Sequence, residues 1–213
     1  MTKEGVQQIT IAGFFISFSG AILFSTKAII VKKAFADTGT SAISLLALRM
    51  IFSIPFYLLA AWFTSKKEDN TRFTKKQWLY VSVIGMMGYY ISSLLDFLGL
   101  QYVSAGIERL ILFLYPTFAV IINAKWFGNK VSLRQKLALL ITYAGIALAY
   151  FGELSITKAD DNFLWGSFLV FVCAITYSLY LVGSARLIPA VGASKFTAYA
   201  MLAATAGVLL HFV

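Results

Sequence analysis

Residues 9–31 read ITIAGFFISFSGAILFSTKAIIV, a run whose single charge is Lys27. As an α-helix rising about 1.5 Å per residue it would measure about 34 Å, a little more than the hydrocarbon thickness of a bilayer. It has no charged face to turn toward water, so lipid is the environment that suits it. It is also longer than the hydrophobic segment of a cleavable signal, and further runs of the same kind follow it. Six recur, over residues 41–62, 78–100, 106–127, 137–151, 163–184 and 196–213. They lack the alternation of a lipid-facing barrel strand. The expected fold class is therefore an all-α polytopic membrane protein with about seven transmembrane helices. Composition agrees: 60% of the 213 residues are hydrophobic and 13% charged, against about 25% charged in soluble domains.

The net charge is +9, but the basic residues stand between apolar runs and form no single polar face. They read as topology signals and contacts for membrane lipids, not as a nucleic-acid surface. With the N-terminus inside, Lys3 and the loops holding Lys66, Lys67, Arg72, Lys75, Lys76, Lys125, Lys130, Arg134, Lys136, Arg186 and Lys195 are cytoplasmic. The outer loops keep Lys32, Lys33 and Lys158, with Glu153, Asp160 and Asp161 in the last of them. That bias predicts a cytoplasmic N-terminus. The one cysteine, Cys173, excludes an intrachain disulfide and a cysteine metal cluster.

Shifted by 153 residues, the first two runs overlay the sixth and seventh without a gap. Gly13 meets Gly166, Phe15 Phe168, Phe18 Phe171, Ala21 Ala174, Ile22 Ile175, Ser25 Ser178, Gly39 Gly192, Ser41 Ser194 and Ala47 Ala200. Five spans, an odd number, separate the copies, so the second enters the membrane from the opposite side. Inverted repeats of this kind build secondary transporters, with the substrate site between the halves. The expected organisation is a five-helix inverted repeat: residues 1–152 as the first copy and 153–213 as two helices of an incomplete second. Completing that copy would bring the length to about 300 residues, so the chain reads as a fragment or a shortened transporter.

A charge at the bilayer centre costs roughly 2.5–3.5 kcal/mol. Five charged residues nevertheless lie in or at the ends of spans: Lys27, Arg49, Asp96, Glu108 and Arg109. Topology places them in one outer layer with a balance of +1. They can be snorkelling side chains and structural ion pairs, or a substrate or proton site. As pairs, Asp96 is expected to meet Lys27, and Glu108 to meet Arg49. Helical spacing adds a stripe of Ser82, Gly85, Tyr89, Ser92 and Asp96, a second of Arg109, Pro116 and Asn123, and a third of Arg49, Ser53 and Phe56. The candidate substrate layer is thus Lys27, Arg49, Tyr89, Asp96, Glu108, Arg109 and Asn123. Pro116 is expected to kink the fourth helix. Gly13, Ser17, Ala21 and Ser25 recur by fours as a packing face.

Other classes lack their chemistry. A retinal protein needs a lysine within the last span, and none is there. No HExxH and no Ser–His pair point to an enzyme, the one histidine being His211, and no GxxxxGK[ST] loop points to an ATP-driven pump. No cofactor is expected. A seven-helix receptor-like protein or a non-transporting transporter fragment stays as the alternative.

Residues 95–120, LDFLGLQYVSAGIERLILFLYPTFAV, resemble the end of helix three and most of helix four in EamA-type members of the drug/metabolite transporter superfamily. LALRM at 46–50 is similar to that family's second helix, where an arginine is common. The resemblance implies ten helices in two inverted five-helix repeats and export of small metabolites such as amino acids or toxic compounds. It also implies a place in the bacterial inner membrane. A chain of seven spans departs from that pattern, and a second copy forming a homodimer could close its groove.

Overall fold

A computed structural model of the chain describes residues 11–66, 73–128, 131–156 and 162–213. Seven helices cover them: α1 (Ile11–Thr38), α2 (Ala42–Ser65), α3 (Lys75–Leu100), α4 (Ala105–Phe127), α5 (Leu133–Ile156), α6 (Phe163–Val191) and α7 (Ala193–Phe212). All seven are long and apolar enough to cross a membrane, and no strand occurs among the described residues. The chain is an integral membrane protein. Lys3, Lys67, Arg72, Lys130, Lys158, Asp160 and Asp161, used above for topology, lie outside the described residues.

The helices outrun the apolar segments because they continue through the interface. α1 reaches Thr38, so Lys32 and Lys33 ride on its last turns and not in a loop. Lys32 Nζ donates to the carbonyls of Leu100 (2.8 Å) and Gln101 (3.3 Å). That is the C-terminal end of α3, where free carbonyls attract a cation. The N-termini are capped from the sequence. Ser41 accepts from Ser44 N–H and Ser104 from Ile107 N–H. Thr74 with Gln77, and Ser132 with Gln135, form reciprocal capping pairs.

α3 is the central helix. It lies against α6 and α7, while α2 packs along α7. Lipid is as apolar as leucine, so burial does not select these faces; close backbone approach does. Gly99 and Gly166 make that approach at the α3–α6 crossing. A Cβ on Gly99 would lie 2.5 Å from Val170 Cγ2, and one on Gly166 would lie 2.6 Å from Tyr102 Cβ. Gly85 meets the Ala200 backbone of α7 in the same way. α1 and α5 are peripheral. α1 makes its main contacts with the C-terminal half of α3 and the start of α4, and its Phe14, Phe15, Ile16 and Phe18 are exposed.

Two helices depart from regular α geometry. α3 widens into a π-helical stretch over residues 86–91, which admits one extra residue to its inner face. α4 is interrupted at residues 113–114, just ahead of Pro116. Proline has no N–H, so it is accommodated in the first turn of the second half and not in a continuous helix.

Candidate functional site

α1, α2, α3 and α6 surround a cavity of about 400 Å³. Lys27 reaches it from α1 and Arg49, Ser53 and Tyr57 from α2. Tyr89, Ser92, Ser93 and Asp96 come from α3, and Tyr177 and Tyr180 from α6. The floor is ionic and the wall aromatic.

Lys27 Nζ donates to Asp96 Oδ2 at 2.5 Å, and Asp96 is 1% exposed. Glu108, 0% exposed, lies behind this pair on the first turn of α4, where the helix N-terminus favours an anion. Its carboxyl adjoins that of Asp96 and stands 3.3 Å from Arg109 Nε, so its ionic partner is its neighbour Arg109 and not Arg49. The reason is reach: Glu108 points into the α3–α4 contact, while Arg49 approaches from α2. Arg109 ties α4 to α1, donating from Nη2 to the Phe24 carbonyl at 2.8 Å with its guanidinium 4.7 Å from the Phe24 ring.

Arg49 stands differently. Its Nη2 donates to Ser93 Oγ at 3.0 Å, and its guanidinium lies 5.2 Å from the Phe97 ring. The ion pairs among the described residues are Lys27–Asp96 and Arg109–Glu108. Arg49 is therefore a cavity cation whose fixed polar partner is a neutral hydroxyl. A guanidinium carries five N–H donors in a planar fork suited to a carboxylate.

The aromatic wall is held by its own hydrogen bonds. Tyr89 and Tyr180 hydroxyls meet at 2.6 Å, and Tyr177 stacks on Tyr180 at 5.8 Å. Ser92 bonds Thr176 Oγ1 at 2.8 Å, and Cys173 Sγ donates to the Ser92 carbonyl at 3.1 Å, which fixes α3 to α6 just beneath.

Of the residues singled out from sequence, Lys27, Arg49, Tyr89 and Asp96 meet in this cavity, with Glu108 and Arg109 beside it. Asn123 sits apart, its Nδ2 donating to Ala119 within α4 at 3.0 Å. On α2 the inward line runs Arg49, Ser53, Tyr57; Phe56 faces lipid and is 72% exposed. Sequence reasoning missed Tyr57, Ser93, Tyr177 and Tyr180. One signal was present: Tyr57 stands two steps of four beyond Arg49. Ser93 carried none, because the wide turn in α3 is what brings both Ser92 and Ser93 to the cavity side.

A helical bundle that holds an arginine, an ion pair and a tyrosine wall at membrane depth has the make-up of a membrane transporter. The EamA-like transporter family matches residues 11–151, and the chain belongs to that family. It is 30% identical over 202 residues to YcbK of Bacillus subtilis (strain 168), described as an uncharacterized transporter. The match covers 94% of this chain and 63% of that relative, so the chain spans less than two thirds of the relative's length. No solved structure matches significantly.

Proposed function

We propose that the chain is the substrate-binding part of a secondary transporter that exports small metabolites, such as amino acids or toxic compounds. The observation that carries this reading is Arg49, a guanidinium in a membrane-spanning helix that faces a cavity of about 400 Å³ and has no carboxylate within ion-pair distance among the described residues. A charge so placed is costly unless a ligand or function uses it. In proteoliposomes loaded for counterflow with a metabolite panel, Arg49→Gln should lower uptake of the transported compound about tenfold or more, the loss of a charge-assisted hydrogen bond. Phe56→Ala, on the lipid face, should leave it unchanged. Uptake indifferent to Arg49→Gln would remove the cavity from the transport path.

The inverted repeat is part of the proposal. Gly39 and Gly192, matched by the 153-residue shift, both follow a long helix and both have positive φ, +61° and +84°. Glycine tolerates that conformation and other residues rarely do. The matched faces of α1 and α6 differ in surroundings: Gly166, Cys173, Ala174 and Ser178 are buried, whereas their counterparts Gly20, Ala21 and Ser25 of α1 are exposed and Gly13 is half-exposed. In the inverted-repeat reading, α1 takes a third and fourth helix like those that α6 takes from this chain. They would come from a longer polypeptide or from a second copy.

Orientation follows the basic residues. Single cysteines at Glu68 and Asn129 in a Cys173→Ala background should resist an impermeant thiol reagent in intact cells, and one at Asp160 should react. Labelling at position 68 would reverse the topology.

A further inference from the structure

A second cavity, of about 490 Å³, meets the first at Lys27 and Arg49, which line both. It lies between α1 and α2 on the outside of the bundle. Leu23 and Ile30 wall it from α1, Leu48 and Phe52 from α2, and Phe97 closes it behind. Leu23 is 71% and Phe52 73% exposed, so this cleft faces the hydrocarbon of the membrane. Both cations sit over the same ring at its back: Lys27 Nζ is 5.8 Å and Arg49 Cζ 5.2 Å from the Phe97 centroid.

We propose that the α1–α2 cleft is a lateral entrance from the bilayer, and that its occupant is an amphipathic organic anion. One carboxylate would rest on Arg49 beside Lys27, with a single alkyl chain in the cleft. The inference rests on the transporter reading and names the substrate class for that site. Two arguments select the occupant. The first is charge: both residues at the junction of the two cavities are cations, Lys27 is paired with Asp96, and among the described residues no carboxylate stands within ion-pair distance of Arg49. The second is volume. At roughly the 30 Å³ of a water molecule per methylene, about 490 Å³ corresponds to about sixteen methylenes, which is one alkyl chain and short of the two tails of a phospholipid. A polar solute gains nothing from an apolar side opening. An amphipathic anion is already concentrated at the membrane surface and loses no hydration from its chain on entering.

The test uses the 213-residue protein in nanodiscs of zwitterionic lipid, with empty nanodiscs as the blank. Radiolabelled octanoate is the probe; acetate, octylamine and 1-octanol are competitors. Saturable octanoate binding is expected, with acetate competing about tenfold or more weakly for want of a chain and octylamine not competing. Arg49→Gln should weaken octanoate about tenfold or more, and Arg49→Lys should recover part of it. Leu48→Trp, which fills the cleft, should erase the advantage of octanoate over acetate. A melting temperature recorded without ligand separates these effects from misfolding. Equal competition by acetate and octanoate, competition by octylamine, or a chain-length preference that survives Leu48→Trp would each overturn the proposal. So would displacement of octanoate by a few mole per cent of phosphatidylglycerol, which would make the cleft an anionic-lipid site. Arg49-dependent uptake of polar metabolites with no octanoate advantage would overturn the entrance and leave the transporter reading standing.

Discussion

Lys27→Met is expected to destabilise the bundle by about 3 kcal/mol, and Asp96→Asn added to it to restore most of that loss. Lys27 Nζ and Asp96 Oδ2 are 2.5 Å apart, and the Asp96 side chain is 2% exposed against 24% for Lys27. Removing the lysine leaves a carboxylate sealed in a low-dielectric site beside the Glu108 carboxyl. Removing the aspartate alone leaves a lysine that is a quarter exposed and long enough to reach toward the interface, so Asp96→Asn should cost less, about 1 kcal/mol. Glu108→Gln separates the two carboxyls further. Asp96 Oδ1 and both Glu108 oxygens are buried without a hydrogen-bond partner. A glutamine amide can donate to Asp96, which should leave stability unchanged or raised and should soften Lys27→Met. Unfolding of the variants in bicelles by denaturing detergent measures the cycle. Additive losses would mean that Lys27 and Asp96 act independently, as snorkelling side chains would.

The second large effect is a contrast between matched positions. Gly166→Leu should destabilise the protein by about 3 kcal/mol, whereas Gly13→Leu should be neutral or slightly stabilising. At Gly166 even a Cβ would lie 2.6 Å from Tyr102 Cβ and 3.1 Å from the Gly99 carbonyl, so a leucine must push α6 off α3. At Gly13 nothing lies within 4 Å of an added Cβ, and the substitution removes a helix-weakening glycine. The same unfolding measurement reads both. Equal damage at the two positions would show that α1 is covered in solution, which a dimer of this chain would explain. In a polypeptide that carries the helices expected to complete the repeat, Gly13→Leu should become as harmful as Gly166→Leu.

The legible part of the site and its illegible part differ in kind. Lys27, Arg49, Asp96, Glu108 and Arg109 stand out in sequence because a charge inside an apolar run is costly wherever it points. Tyr177 and Tyr180 do not, because tyrosine suits the lipid interface, a packing seam and a binding wall equally well. Pairing was legible for Asp96 and misread for Glu108. Charge complementarity offers Glu108 any of three cations, and only the approach of α2 and α4 gives it Arg109 and leaves Arg49 to Ser93.

Sequence alone determined that the chain is helical and that it carries seven segments long and apolar enough to cross a membrane. Spanning a bilayer is decided by length and local composition, and a cap such as Thr74–Gln77 by residues three apart. Tertiary structure decided which faces meet. In lipid both sides of a helix are apolar, so hydropathy carries no period to mark the packed face. Contact is set by where two backbones can approach, as at Gly99 and Gly166, and by the wide turn in α3 that rotates its lower half. From those two features follow the cavity, the freedom of Arg49 within it and the cleft between α1 and α2.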